Sequence, residues 1–226
     1  MDEDTPGAAA FVYDIFTIPA PPTSADTIRY KNTRLTALRT DPSCFSSTYA
    51  REAVFTEETW RERLNGDGKA VFVVRAAKPP SRSGEGRTEG EHEGAPFIGT
   101  ASVVAARALP SATIPNGVDR EATYFVFGMW VDPDHRGRGV GRKLLEAGVQ
   151  WVAEDATKAA LRDGQVVDGS HIVAEMFLTV AASNQGARRM YERCGFETMP
   201  AEMEGGGTER REVWLRRRIA GSDCTR

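Results

Sequence analysis

ATYFVFGMWVDPDHRGRGVGR, residues 122–142, decides how the rest of the chain is read. Residues 122–131 are rich in aromatic and β-branched side chains, which predicts a strand. Asp132 and Pro133 end that run, and Gly137, Gly139 and Gly141 follow, interleaved with Arg136, Arg138, Val140 and Arg142. Glycines let successive backbone N–H groups converge, and a helix N-terminus adds about half a positive charge, so such a turn suits a phosphate or pyrophosphate. Arg136, Arg138, Arg142 and Lys143 add charged donors around it. A plain strand-to-helix turn, whose glycines only permit the bend, is the other reading of the same residues. Two nucleotide loops are excluded by spacing. Glycines at 137, 139 and 141 do not spell G-x-G-x-x-G, and Gly141 is followed by Arg142 instead of the Lys-Ser/Thr of a Walker loop.

Downstream, Leu145, Val149, Val152 and Ala156 recur at spacings of three and four, with Leu144, Gly148 and Trp151 beside them, which predicts a helix to about Arg162 closed by Gly164. A strand over 171–180, a helix over 184–194, a short strand in FETMP (196–200) and a last strand over 212–219 follow. Upstream, FVYDIFTI (11–18) reads as a strand stopped by Pro19, Pro21 and Pro22. Residues 26–40 read as a helix with Asp26 as N-cap and Ile28, Leu35 and Leu38 on its apolar face, and 57–64 as a shorter helix capped by Thr56. AVFVVRAA (70–77) and PFIGTASVVAARA (96–108) are strands around KPPSRSGEGRTEGEHEGAP (78–96), a Gly- and Pro-rich excursion with nothing to place in a core. The order is that of one mixed α/β domain, without internal repeats.

The chain has 226 residues, enough for one sizeable core. Lys plus Arg number 29 and Asp plus Glu 32, a net charge of −3 that supplies no global field for nucleic acid. Arg216, Arg217 and Arg218 are expected to mark a solvated edge of the last strand. Cys44, Cys194 and Cys224 are too few and scattered for a disulfide framework or a zinc site, so a reducing compartment is expected. The acidic N-terminus and short, interrupted apolar stretches predict a cytoplasmic protein with no membrane partner. Glu91, His92 and Glu93 sit where a flexible loop would offer a metal no fixed geometry, so no metal is expected.

R-x-x-G-x-G at Arg136, Gly139 and Gly141 resembles the coenzyme-binding turn of the GNAT superfamily of acyl-CoA-dependent N-acetyltransferases. VAASNQGARRMYERCGFE, with Asn184, Ala187, Tyr191 and Gly195-Phe196, is similar to the family's second block, V-x-x-x-N-x-x-A-x-x-x-Y-x-x-x-G-F. More softly, RLTALRTDPSCFSSTYAREAVF (34–55) with Trp60 and Arg61 resembles the N-terminal helical region of small-molecule acetyltransferases. The resemblance runs over about 27–219 and implies a mixed central sheet of six or seven strands with flanking helices and a V-shaped splay between two central parallel strands. It divides the chain into an N-terminal strand and turn (1–25), the acetyltransferase domain (26–219, with the insert at 78–96) and a tail (220–226).

By the same resemblance acetyl-CoA enters the splay, with its pyrophosphate on Arg136, Gly137, Arg138, Gly139, Val140, Gly141 and Arg142. Its pantetheine arm would add along Met129, Trp130 and Val131 as a strand does. A backbone N–H near Met129 or Trp130 would polarise the thioester, with Gly128 either relaxing the strand there or forming a bulge. Tyr191 matches the general acid, or only packs on the coenzyme, and Asn184 holds the pantetheine, caps its own helix, or both. For the base, Glu121, Glu175 and His171 are weighed and none is chosen; His135 is expected to be a solvated turn residue, and Cys194 a core residue and not a nucleophile. The implied reaction is direct acetyl transfer to a primary amine of a small molecule through a ternary complex. A protein or peptide acetyltransferase and a non-catalytic acyl-CoA sensor are the alternatives, and a homodimer is left open.

Overall fold

Seven strands form one sheet in the order β1-β2-β3-β4-β5-β7-β6 in the computed structural model of the chain. The structure describes residues 11–77, 95–111, 114, 118–162, 164, 172–200 and 212–225. The excursion expected at 78–96 therefore lies outside the described residues except for Ala95 and Pro96. The strands are β1 (Val12–Thr17), β2 (Lys69–Ala77), β3 (Gly99–Ala105), β4 (Thr123–Val131), β5 (Ile172–Ala181), β6 (Glu197–Thr198) and β7 (Glu212–Ala220). Helices are α1 (Ser24–Thr40), α2 (Tyr49–Ala53), α3 (Glu57–Leu64), α4 (Val140–Arg162) and α5 (Gln185–Arg193). This is the mixed α/β domain, flanked by helices, that the sequence predicts.

Every strand pairing is antiparallel except β4 with β5. That parallel ladder holds only at Thr123↔Glu175, Tyr124↔Met176 and Phe125↔Phe177. Beyond it β4 continues along β3 and β5 along β7, so the two central strands part and leave an open wedge. A β-bulge sits at the start of the wedge: Thr100 and Ser102 of β3 face Trp130 and Phe127, so β4 carries one extra residue. Gly128 takes up the bend at φ +61°, a conformation that side chains resist.

One face of the sheet packs Phe72, Val103, Tyr124, Met176 and Leu215 against Leu144, Leu145, Val149, Val152 and Ala156 of α4, the face read from periodicity. Gly148 permits the close approach, since a Cβ there would lie 3.1 Å from Val103 Cγ2. The opposite face packs Val71, Val73 and Phe97 under Tyr30 of α1 and Trp60 and Leu64 of α3.

Three expectations change. The N-cap of α1 is Thr23, not Asp26: the Thr23 hydroxyl accepts from the Asp26 N–H at 3.0 Å and donates to the Asp26 carboxylate at 2.7 Å, placing an acid in the first turn where the helix dipole favours it. The buried face of α1 is only partly its apolar stripe, keeping Leu38 and the half-buried Leu35. Ile28 is exposed, whereas Thr33 and Arg34 are buried because Phe97 and Glu52 supply their partners. Finally, β7 is not a solvated edge, because β5 and β6 flank it. Arg216 and Arg218 pair with Glu175 at 3.3 and 3.6 Å, and Arg217 reaches the Cys194 carbonyl and Asp223.

Candidate active site

The wedge between β4 and β5 brings three groups of residues together. The first is the turn that joins β4 to α4. Gly137 and Gly139 adopt φ +73° and +78°, and no atom lies within 4 Å of where a Cβ would stand on either. The Gly139 carbonyl accepts from the Lys143 N–H and starts the helix, so the leading amides of α4, from Val140, Gly141 and Arg142, have no acceptor within it. An uncluttered concavity of N–H groups at a helix N-terminus fits a pyrophosphate. Gly141 is tighter, its Cβ position 3.5 Å from the Met129 methyl.

The arginines of the turn differ. Arg142 reaches Glu146 at 2.7 Å on the surface, and Arg138 stacks over Phe11 with its guanidinium 5.4 Å from the ring centre. Arg136 is tied down: Nε donates to the Val131 carbonyl at 2.9 Å, and its Nη groups hold Asp41, at the C-terminal end of α1. The Trp130 indole donates to the same carboxylate at 2.7 Å. Burial pushes Asp41 upward, but the hydrogen bonds from Arg136 and Trp130 and the Arg136 charge leave its carboxyl below the usual range. His135 is not a solvated turn residue, as it packs edge-on against Phe11 and Tyr13 and meets the Tyr13 hydroxyl at 3.2 Å.

The second group lines the mouth of the wedge. Asp132 N–H donates to the Ile98 carbonyl, so strand alternation turns the backbone groups of Val131 into the wedge and those of Trp130 towards β3, while Gly128 and Met129 form the bulge between this stretch and Phe127. Tyr191 is buried on α5, and its hydroxyl donates to Met129 Sδ at 3.5 Å. Burial above all, and then the nearby sulfurs of Cys44 and Cys194, raise its pKa, so the phenol keeps its proton. Asn184 caps α5, accepting from the Ala187 N–H at 3.1 Å, while its amide nitrogen donates to Cys44 Sγ at 3.6 Å. Cys194 is buried, and burial raises its thiol.

The third group is one that sequence reading missed. A cleft of about 360 Å³ opens at the bulge, lined on the sheet side by Val126–Gly128, Thr179–Ala181 and Glu212. Tyr30 and Arg34 of α1, the 43–47 segment, Arg51 and Glu52 of α2 and Arg63 of α3 close the other side. Arg34 grips Glu52 with two parallel hydrogen bonds of 3.0 and 2.8 Å, and Arg63 lies 3.6 Å from the same carboxylate. Burial raises Glu52, yet the hydrogen bonds from Arg34 and Ser47 and the charges of Arg34 and Arg63 hold it below the usual range and ionised.

Of the acids weighed as bases, Glu175 sits at the closed end of the wedge in its arginine pairs and Glu121 is exposed before β4, so neither meets the cleft. His171 lies outside the described residues, as do Glu91, His92 and Glu93. Among the described residues, no three His, Cys, Asp or Glu side chains are grouped to hold a metal, and no helix is long and apolar enough to cross a membrane.

Comparison with known proteins places this geometry. The family described as "Acetyltransferase (GNAT) domain" matches residues 98–198, from just before β3 through the turn and Tyr191 to β6. A mycothiol acetyltransferase of Kocuria rhizophila is 31% identical over 83 residues, which are 37% of this chain and 22% of that protein, so the match spans under a quarter of that relative's length. Among solved structures, a GNAT-family acetyltransferase of Streptococcus pneumoniae superposes with a TM-score of 0.57 at 18% identity, covering 92% of this chain and 100% of that one. Arabidopsis thaliana NAA60, solved in complex with acetyl-CoA, gives 0.52 at 15% identity, covering 92% and 99%. The structural likenesses speak for the fold.

Proposed function

We propose that the chain, whose residues 98–198 match the GNAT acetyltransferase domain, transfers the acetyl group of acetyl-CoA directly to a primary amine of a small molecule. One observation carries the proposal: the turn, Tyr191 and the cleft all converge on Gly128 and Met129, at the point where β4 leaves β5. The open glycine turn fits a pyrophosphate and the wedge fits an extended arm, so Arg136–Arg142, Met129–Val131 and Asn184 would hold acetyl-CoA. Acetyl-CoA supplies the activated acyl group.

The residues of this chain do the rest. Met129 offers its N–H to a carbonyl oxygen in the wedge. Tyr191 holds a proton on its phenol beside Met129 and is the proton donor to a departing thiolate. Arg136, locked onto Asp41 and the Val131 carbonyl, keeps the turn in register with β4, while Arg138 and Arg142 supply positive charge at its rim. In the cleft Glu212, in no ion pair among the described residues, receives the ammonium of the acceptor and passes its proton to solvent, so that the neutral amine attacks the thioester carbonyl as the carbon–sulfur bond breaks and Tyr191 protonates the thiolate. A volume of about 360 Å³ is on the scale of a small-molecule site, which supports a metabolite-sized acceptor over a protein one. The mycothiol acetyltransferase likeness points the same way.

The test is a thermal-shift titration with acetyl-CoA, coenzyme A, ATP and NAD, followed by free-thiol release over a panel of small amines. Stabilisation by acetyl-CoA and coenzyme A, with thiol release for at least one amine, is expected. Failure of acetyl-CoA to stabilise the protein overturns the assignment of the turn. Stabilisation with turnover of peptides only overturns the small-molecule acceptor.

A further inference from the structure

The cleft holds one polar atom that the fold leaves without a partner. Arg34 is 6% exposed. Its Nε and Nη2 are spent on Glu52, but its third nitrogen, Nη1, is buried and makes no hydrogen bond. Nη1 points at the bulge, 3.6 Å from where a Cβ of Gly128 would stand, which is where the wedge and the cleft meet. A buried guanidinium nitrogen left unpaired costs free energy, and of the four such nitrogens among the described residues, on Arg34, Arg75, Arg188 and Arg216, that of Arg34 is the one on a residue lining the cleft. The charge around it is unbalanced as well: Arg34 and Arg63 share the single carboxylate of Glu52. The Phe45 ring lies over the guanidinium, centred 4.6 Å from its carbon, on a segment that itself lines the cleft.

We propose that the acceptor carries a carboxylate close to its reacting amine, and that Arg34 Nη1 receives it. The inference rests on the acetyltransferase reading above and narrows it to a substrate class, amino-carboxylic acids. Glu52 acts as a positioning residue, its bidentate grip fixing the plane of the guanidinium so that Nη1 faces the bulge. Glu212 on the opposite side meets the ammonium, so the cleft is polarised as a zwitterion requires. An amine lacking the carboxylate would leave Nη1 unpaired in the complex, and discrimination of this kind is strong.

The experiment measures kcat/KM on matched amines with the full chain and acetyl-CoA: α-amino acids, their amides, their decarboxylated amines and ω-amino acids. Acids are expected to exceed their amides and decarboxylated partners by about tenfold to hundredfold, mainly in KM, with the α and ω series telling how far the carboxylate lies from the amine. Arg34→Lys, and the double change Arg34→Met with Glu52→Leu that strands no buried charge, should erase the preference while acetyl-CoA still stabilises the protein. Equal rates on matched pairs, a preference that survives both variants, or absence of both turnover and binding of every acid by the coenzyme-loaded protein overturns the inference. If acetyl-CoA itself fails to stabilise the wild type, the acetyltransferase reading has failed instead.

Discussion

The turn after β4 and the cleft beneath α1 lie on either side of Gly128, yet they are built on opposite plans. The turn presents backbone: Gly137 and Gly139 keep its mouth clear, and the leading amides of α4 are the donors it offers. The cleft presents side chains drawn from α1, α2, α3, β4, β5 and β7. A ligand part that every member of a family shares can be met by one short contiguous loop. A ligand part that varies is met by side chains on separate elements, each replaceable without disturbing the strand-to-helix joint.

If that contrast is right, the largest effect comes from placing a charge in the turn. Gly139→Asp puts a carboxylate where phosphate is expected and forces a side chain into φ +78°, so affinity for coenzyme A should fall by more than about a hundredfold in calorimetry. Gly139→Ala carries the backbone strain without the charge and should lose far less. Equal losses for the two would mean that the backbone shape alone matters. Next comes Tyr191→Phe, which removes only the proton. We expect kcat to fall about a hundredfold with KM and melting temperature little changed, since the ring still fills its place beside Phe196 and Met129. A KM effect alone would reduce Tyr191 to a packing residue.

How much of this the sequence shows follows the same division. The turn and the second block, Asn184 to Phe196, are each contiguous, and their spacing is visible in the chain. Asn184 is found as a helix cap whose amide also faces Cys44, as both of its readings allow. Arg34 and Glu52 are 18 residues apart on different helices and look like surface charges. Nothing local says that α1 turns Thr33 and Arg34 inward and Ile28 outward, because hydrophobic periodicity sees only apolar burial and these polar residues are buried by distant partners. The packing of His135 is hidden in the sequence for the same reason: its partners, Phe11 and Tyr13, come from the start of β1, more than a hundred residues away.

Asp41 joins the two regions, and its removal should have a moderate effect. It stands at the end of α1, just before the segment that lines the cleft, and holds Trp130 and Arg136 of the β4 turn. Its folded pKa is depressed, so its stabilisation is present above the ordinary carboxyl value of 3.8 and is lost as pH falls through the lower folded value. Asp41→Asn should lower stability at neutral pH by about 1 kcal/mol, allowing for the exposure of Arg136, and raise KM for acetyl-CoA several-fold. The stability gap between wild type and variant should close below that window; a gap independent of pH would assign the loss to packing.

The smallest effect separates attraction from binding. Arg142 is exposed and, among the described residues, pairs with Glu146 one helical turn away, so Arg142→Ala should leave the melting temperature unchanged. If Arg142 contributes field and not a fixed contact, KM for acetyl-CoA rises about twofold to threefold at low salt. The difference from wild type then fades towards 0.5 M salt, because a screened rim charge loses its reach while the amides of the turn do not. A loss that persists at high salt would place Arg142 in direct contact with the phosphates and make the turn a site of side chains as well as backbone.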